Sequence, residues 1–287
     1  MASLHFTLLP HRSVIAVGGA DRAEFLQGLI SNDTTKVGPD QAIWAALLTP
    51  QGRFLNDMFV VEDGSGTFLL ETERERAPAL ARKLKMYTLR SKVTVEDRSA
   101  ATEVAVVFGP DAGGILPVAG ATAFIDPRLP ELGVRVLAPV DQAAALLGLN
   151  EAPLAAYEVL RLRLGVPDGS RDLRVEKALL LESGFDELHG VDWKKGCYMG
   201  QELTARTKYR GLIKRRLFPV RIEGPLPASG APVHRDGKEV GEIRSGLGDR
   251  ALAMLQIDAA DGALTADGAT LFPERPPWMQ IPDPKRM

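Results

Sequence analysis

Short β-type runs separated by turn residues, with few long helices between them, recur from one end of this 287-residue chain to the other. Parallel strands need long crossover connections, usually helical. Where these are scarce the sheets are largely antiparallel and the class is α+β. Residues 13–17 and 43–48 are apolar and rich in β-formers, and runs 54–61 and 67–71 flank Asp63-Gly64-Ser65-Gly66, which predicts a hairpin. In residues 21–30, Phe25, Leu26, Leu29 and Ile30 fall on one helical face, opened by the capping pair Asp21 and Glu24. Thr72 and Glu75 have capping-box spacing and predict a helix through Leu80 and Leu84. Runs 92–96 and 103–108 return to strand.

Glycines and prolines from Gly113 to Pro130 mark a looser stretch. Helices are predicted over 141–147 and 153–164, the second with Pro153 at its first position, Tyr157, Leu160 and Leu164 on its apolar face, and Gly165 as its stop. Beyond residue 216, glycines punctuate short strand-like runs such as 217–222 and 251–257. That texture predicts a small barrel or sandwich as a separate domain, dividing the chain into 1–216 and 217–287. The proline-rich tail, 273–287, is expected to lie over a surface.

Composition narrows the function classes. Hydrophobic residues at 45% and charged residues at 25% describe a globular chain rather than a disordered one. Thirty-five basic against thirty-seven acidic residues leave a net charge of −2, unsuited to coating nucleic acid. No window of eighteen apolar residues is present, so no membrane helix is expected, and residues 1–10 do not read as a secretory signal. The single cysteine, Cys197, cannot form an internal disulfide, nor alone hold zinc or an iron–sulfur cluster. The four histidines (His5, His11, His189, His234) lack metal-ligand spacing, and no bound metal is expected. The expectation is a soluble cytoplasmic protein.

Residues 192–216 concentrate charge: eight Lys or Arg against Asp192 and Glu202, eight minus two giving +6. Such an island suits an anionic ligand or partner, and equally a solvated basic face. Within it Gly196 and Gly200 bracket Cys197, and Lys194 and Lys195 favour a thiolate by proximity. In an extended segment Lys195 lies on the same side as Cys197. A buried, inert cysteine is the other reading.

Lys195-Gly196-Cys197-Tyr198-Met199-Gly200-Gln201-Glu202 matches the motif Lys-Gly-Cys-Tyr-x-Gly-Gln-Glu of the folate-binding YgfZ family, whose members resemble the aminomethyltransferase (T protein) of the glycine cleavage system. The run from Phe25 to Asp33 resembles that family's first helix and its exit, and Thr49 to Asp57 the start of its hairpin. Leu181-Glu182-Ser183 and the run Gly211 to Val220 look most like the mitochondrial iron–sulfur assembly branch. The resemblance implies a three-lobed aminomethyltransferase-like α+β fold with a small C-terminal β-barrel. It also implies tetrahydrofolate binding and a role in making or repairing iron–sulfur clusters, chiefly four-iron, in client or scaffold proteins. The site residues it implies are Cys197 and Lys195 for the chemistry, with Asp57, Tyr198, Gln201, Glu202 and Arg206 for the folate. Asp57 would take the pterin edge and Arg206 the glutamate carboxylates. Two other readings remain: a true aminomethyltransferase, weakened because Asn56-Asp57 stands where those enzymes carry two acids, and a non-catalytic folate-stabilised scaffold.

Overall fold

The computed structural model describes residues 3–39, 41–211 and 213–281, and the chain divides into two compact units. The first comprises residues 1–50, 55–154 and 189–199; the second comprises 51–54, 155–188 and 200–287.

The first unit is built on two five-stranded sheets. Strands β1 (His5–Leu8) and β2 (Arg12–Gly18) are followed by helix α1 (Arg22–Gln27), then β3 (Ile43–Leu48), β4 (Phe54–Glu62) and β5 (Phe68–Glu73). Helix α2 (Ala77–Tyr87) leads to β6 (Thr94–Asp97), β7 (Thr102–Phe108), β8 (Thr122–Ile125), β9 (Val134–Pro139), α3 (Ala143–Leu147) and the short β10 (Asn150–Glu151). One sheet has the order β3-β4-β5-β2-β6 and the other β10-β1-β7-β9-β8. Among the described residues β1 pairs with β10 in parallel, while β1–β7, β2–β5, β2–β6, β4–β5, β7–β9 and β8–β9 pair antiparallel. The hairpin joining β4 and β5 forms as predicted, with the Asp63 carboxylate accepting from the Ser65 and Thr67 backbone N–H groups.

Alternation along the strands puts Asp57 and Phe59 on one face of β4, and the register sets Phe59 opposite Glu71, which lies opposite Val14 of β2. The buried Arg12 reaches both acids, with Nε 3.0 Å from Glu71 and Nη1 3.5 Å from Asp57. From the second sheet Arg135 donates to Glu71 at 2.5 Å and to Asp126 at 2.9 Å, and Arg128 pairs with Asp126 at 2.7 Å. All three guanidinium groups lie over the Phe59 ring, Arg135 at 4.0 Å from its centroid. Three cations thus meet three carboxylates where water is excluded. Burial alone would raise the Asp126 carboxyl, but its two arginines outweigh that and hold it below the usual range.

Two predicted caps do not form. Asp21 makes no side-chain cap; its carboxylate accepts from the Lys92 N–H instead, and α1 ends at Gln27. Thr72 stays in β5, where its hydroxyl donates to the Asp57 carbonyl, and α2 begins only at Ala77 after a 3₁₀ turn. In both cases a tertiary partner outcompetes the local cap.

In the second unit α4 (Leu154–Leu164) ends at Gly165, in the left-handed region at φ +73°, as its sequence predicts. It is followed by α5 (Gly169–Asp172) and α6 (Gln201–Tyr209). Strands β11 (Arg215–Glu223), β12 (Pro232–Arg235), β13 (Lys238–Leu247), β14 (Arg250–Gln256), β15 (Leu264–Ala266) and β16 (Ala269–Pro273) close a six-stranded barrel, settling the choice between barrel and sandwich. Phe218, Val220, Val233, Leu255, Leu264 and Leu271 fill it. Arg161 of α4 pairs with Asp172 of α5 at 2.8 Å, and Asp172 accepts from the Ser245 hydroxyl of β13, tying helices to barrel. Of the tail, Met279 joins the barrel core and Trp278 Nε1 donates to the Leu164 carbonyl at 2.7 Å; residues 282–287 lie outside the described residues. Among the described residues no helix is long and apolar enough to cross a membrane.

Candidate functional site

The loop 189–199 of the first unit carries the head of the motif and is fastened to the segment that leaves α1. The Ser31 hydroxyl donates to the Gly190 carbonyl at 2.6 Å, and Asn32 Nδ2 donates to the His189 carbonyl at 2.6 Å. The Asp192 N–H donates to the Ser31 carbonyl at 3.0 Å, and the Met199 N–H to the Gly28 carbonyl at 3.0 Å. Lys36 pairs with the Asp192 carboxylate at 2.5 Å. Gln27 Nε2 donates to the Lys195 carbonyl at 3.1 Å, while the Lys195 ammonium returns a bond to the Gln27 carbonyl. Ser31 and Asn32 are themselves set by β3, since the Ser31 hydroxyl accepts from Ala46 N–H and Asn32 donates to the Trp44 carbonyl.

Gln27 is the hub of this clasp. Its amide nitrogen also donates to Asp33 at 2.9 Å, and its amide oxygen accepts from the Thr34 N–H and hydroxyl. Burial raises the Asp33 carboxyl, but bonds from Thr35 and Gln27 and the charge of Lys36 carry it below the usual range. Asp192 behaves alike: burial opposes its ionisation, and Lys36 with the Lys194 N–H outweighs burial.

Between these fastenings lies Cys197, exposed, next to an exposed Gly196 at φ +93°. An added Cβ at Gly196 would meet nothing, so the glycine is required by backbone conformation rather than by space. The segment is therefore not the extended strand the sequence suggested. The Lys195 side chain turns onto α1 instead, with its ammonium 4.9 Å from the centroid of the buried Tyr198 ring. Burial pushes the Lys195 ammonium down to about 8 against the pull of Asp33, Asp192 and Cys197.

The motif continues into the second unit. Gln201 and Glu202 open α6, and the exposed Arg206 pairs with Glu202 one turn earlier at 2.6 Å. Gly52, at φ +79°, lets the chain pass this helix start: a Cβ there would lie 2.7 Å from the Gly200 carbonyl oxygen and from Leu203 Cβ. The basic island is accordingly partly paired within the unit, with Lys208 on Asp186 and Arg216 on Glu187. Asp57 sits elsewhere in the first unit, 2% exposed, accepting from Trp44 Nε1 at 3.2 Å within the buried network. Lys195, Cys197 and Tyr198 thus share one loop, Asp57 belongs to the sheet core, and Gln201, Glu202 and Arg206 lie on α6. Sequence reasoning missed Gln27, Ser31, Asn32 and Asp33 as the residues that hold the loop. Their only local signal is a polar run directly after an apolar helical face.

Comparison with known proteins places this geometry. Residues 10–126 match the GCVT N-terminal domain and residues 214–281 the CAF17 C-terminal beta-barrel domain. The mouse protein "Iron-sulfur cluster assembly factor IBA57, mitochondrial" is 38% identical over 281 residues, covering 89% of this chain and 78% of the relative. The chain belongs to the IBA57 family. The human IBA57 factor is likewise 38% identical with the same coverage, and the homologue of Pyricularia oryzae is 34% identical over 88% of this chain and 72% of its own length. The solved structure of glycine cleavage system aminomethyltransferase T from Bartonella henselae superposes with a TM-score of 0.78 over 96% of this chain and 86% of that one, at 18% identity. The fold is therefore aminomethyltransferase-like with a six-stranded C-terminal barrel. These IBA57 relatives are named mitochondrial, which overturns the expectation of a cytoplasmic protein.

Proposed function

We propose that this chain is an iron–sulfur cluster assembly factor, acting chiefly on four-iron clusters, in which Cys197 is the working thiol. The observation that carries the reading is the clasp: polar groups from Gln27 to Lys36 pin the loop on both sides of an exposed Cys197. A cysteine kept only for packing needs burial, not exposure on a pinned loop. The names of the IBA57 relatives support the same role. One thiol cannot hold a cluster, which takes about four ligands. The remaining ligands therefore come from the scaffold or client protein, and the cluster is cargo in transit.

Within this reading the chain is a folate-binding member of the YgfZ group. The residues present fit the pterin end of a reduced folate on one observation. Glu71 is fully buried, and its Oε2 has no hydrogen-bond partner, on the same sheet face as Asp57. Two buried carboxylates suit the N–H edge of a pterin. Bound there, a reduced folate supplies a carrier for one-carbon units; the protein's part is to hold it.

Two measurements test the reading. Deleting the gene in the source organism should lower the activities of four-iron enzymes while leaving iron-free enzymes unchanged; intact four-iron enzymes would refute the assembly role. Calorimetry with tetrahydrofolate should give heat and a rise in melting temperature that Asp57→Ala abolishes. No heat and no shift at high excess would remove folate from the account.

A further inference from the structure

The end of α2 and the turn after it carry a second basic segment, outside the island around the motif. From Ala77 to Val95 there are five cations (Arg82, Lys83, Lys85, Arg90 and Lys92) and no acid. None of the five forms an ion pair with another described residue, in contrast to Arg206, Lys208 and Arg216. Set among them are three of the large apolar side chains this chain exposes: Met86 at 71%, Tyr87 at 42% and Leu89 at 90%. Scattered exposed apolar residues are ordinary; three within four positions, flanked along the chain by cations without an ion pair, are not.

The patch adjoins the motif loop. The Tyr87 hydroxyl donates to the Met199 sulfur at 3.8 Å. Beside it is a hollow of about 390 Å³ lined by Phe25, Leu29, Tyr87 and Ser91, together with Asp21 and Glu24. The Asp21 carboxylate is taken by the Lys92 N–H, and Glu24 is exposed. A macromolecule seated on Tyr87 would therefore lie beside Met199 of the motif loop, two residues after Cys197.

We propose that residues 82–92 form the docking surface for an acidic protein, with carboxylates facing the five cations and apolar side chains meeting Met86, Tyr87 and Leu89. This rests on the reading of the chain as an assembly factor, and names the face through which its scaffold or client approaches. Charge complementarity chooses the sign of the partner, and the apolar residues choose its class. A membrane-surface helix needs a free apolar face, but Ala77, Leu80, Ala81 and Leu84 of α2 are buried in the unit. Single-stranded nucleic acid needs several aromatic platforms; Tyr87 is one, and Met86 and Leu89 present no π-face. Tyr, Met and Arg are the residues that protein interfaces enrich, and methionine adapts to more than one partner shape. Three apolar side chains suit a transient contact, as a hand-over requires.

The test places a photo-crosslinking amino acid at Leu89 of the full chain in the source organism, and identifies adducts by mass spectrometry. The expected adduct is an iron–sulfur scaffold or client joined through a segment rich in Asp and Glu. The double variant Lys85→Glu/Arg90→Glu, both positions exposed, should cut the adduct at least tenfold with an unchanged melting temperature. Reversing the acids of the crosslinked segment to Lys should restore it. Cys197→Ala should leave the adduct intact, because docking does not need the thiol. An adduct with lipid or RNA, one indifferent to charge reversal, or none at all would overturn the proposal. A charge-dependent adduct with an acidic protein unconnected to iron–sulfur clusters would uphold the docking surface and contradict the assembly reading instead.

Discussion

Two regions of the first unit hold charge in opposite ways. In the sheet core, Arg12, Arg128 and Arg135 are locked against Asp57, Glu71 and Asp126, all nearly inaccessible to water. In the clasp of the motif loop, buried neutral side chains such as Ser31 and Asn32 stand beside half-exposed charges such as Lys195, and most of their bonds run to backbone carbonyls. The first arrangement fixes a shape, because a buried charge without its partner is costly. The second fixes a position, holding one exposed cysteine out in solvent at modest cost. The lesson is that charge count along the sequence does not tell these roles apart; burial does.

The comparison breaks most readily in the core. Glu71→Ala leaves Arg12 and Arg135 buried without their shared carboxylate and should lower the unfolding free energy by about 3–5 kcal/mol in urea denaturation. A loss under about 1 kcal/mol would mean that the core network is hydrated and not sealed. In the clasp, Gln27→Ala removes bonds to Asp33, Thr34 and Lys195 and should cost about 1–3 kcal/mol. Its sharper signature is faster amide hydrogen exchange at the Met199 N–H, which the clasp protects. Unchanged exchange there would show that Gln27 does not hold the loop.

The core and the clasp also differ in how far the sequence discloses them. Strands β3 and β4 were legible because Ile43–Leu48 is wholly apolar and the run from Phe54 to Val61 is broken only by Asn56-Asp57, and the barrel because glycines punctuate short strands. The motif singles out Cys197, and of the two readings left open for it the buried one is excluded by its exposure. The capping box at Thr72 misled, because a local spacing cannot register that Thr72 gains a bond to Asp57 fifteen residues earlier. The clasp was illegible for the same reason at greater range: Asn32 reaches His189 across 157 positions, and Ser31 reaches Gly190 across 159. Long-range bonds between unremarkable polar residues leave no local pattern.

Lys195 gives a smaller and more selective test, with the sign set by its lowered value. The folded ammonium loses its proton near pH 8, while in the unfolded chain it does so near 10.5. Between those values the unfolded chain binds more protons, so this group's contribution to stability rises with pH across the window. Unfolding free energies of wild type and Lys195→Met should therefore diverge in favour of wild type from pH 8 to 10. At pH 8, acetic anhydride should label Lys195 faster than Lys194 when the tagged peptides are quantified. Equal labelling and a pH-independent gap would place Lys195 in free solvent.

The most direct test of the account is Cys197→Ala in the deletion strain. An exposed thiol contributes little packing, so the purified variant should melt within about 0.5 kcal/mol of wild type. Four-iron enzyme activities should nevertheless stay at the deletion level, while the wild-type gene restores them. A stable Cys197→Ala protein that restores those enzymes fully would contradict the assignment of Cys197 as the working thiol.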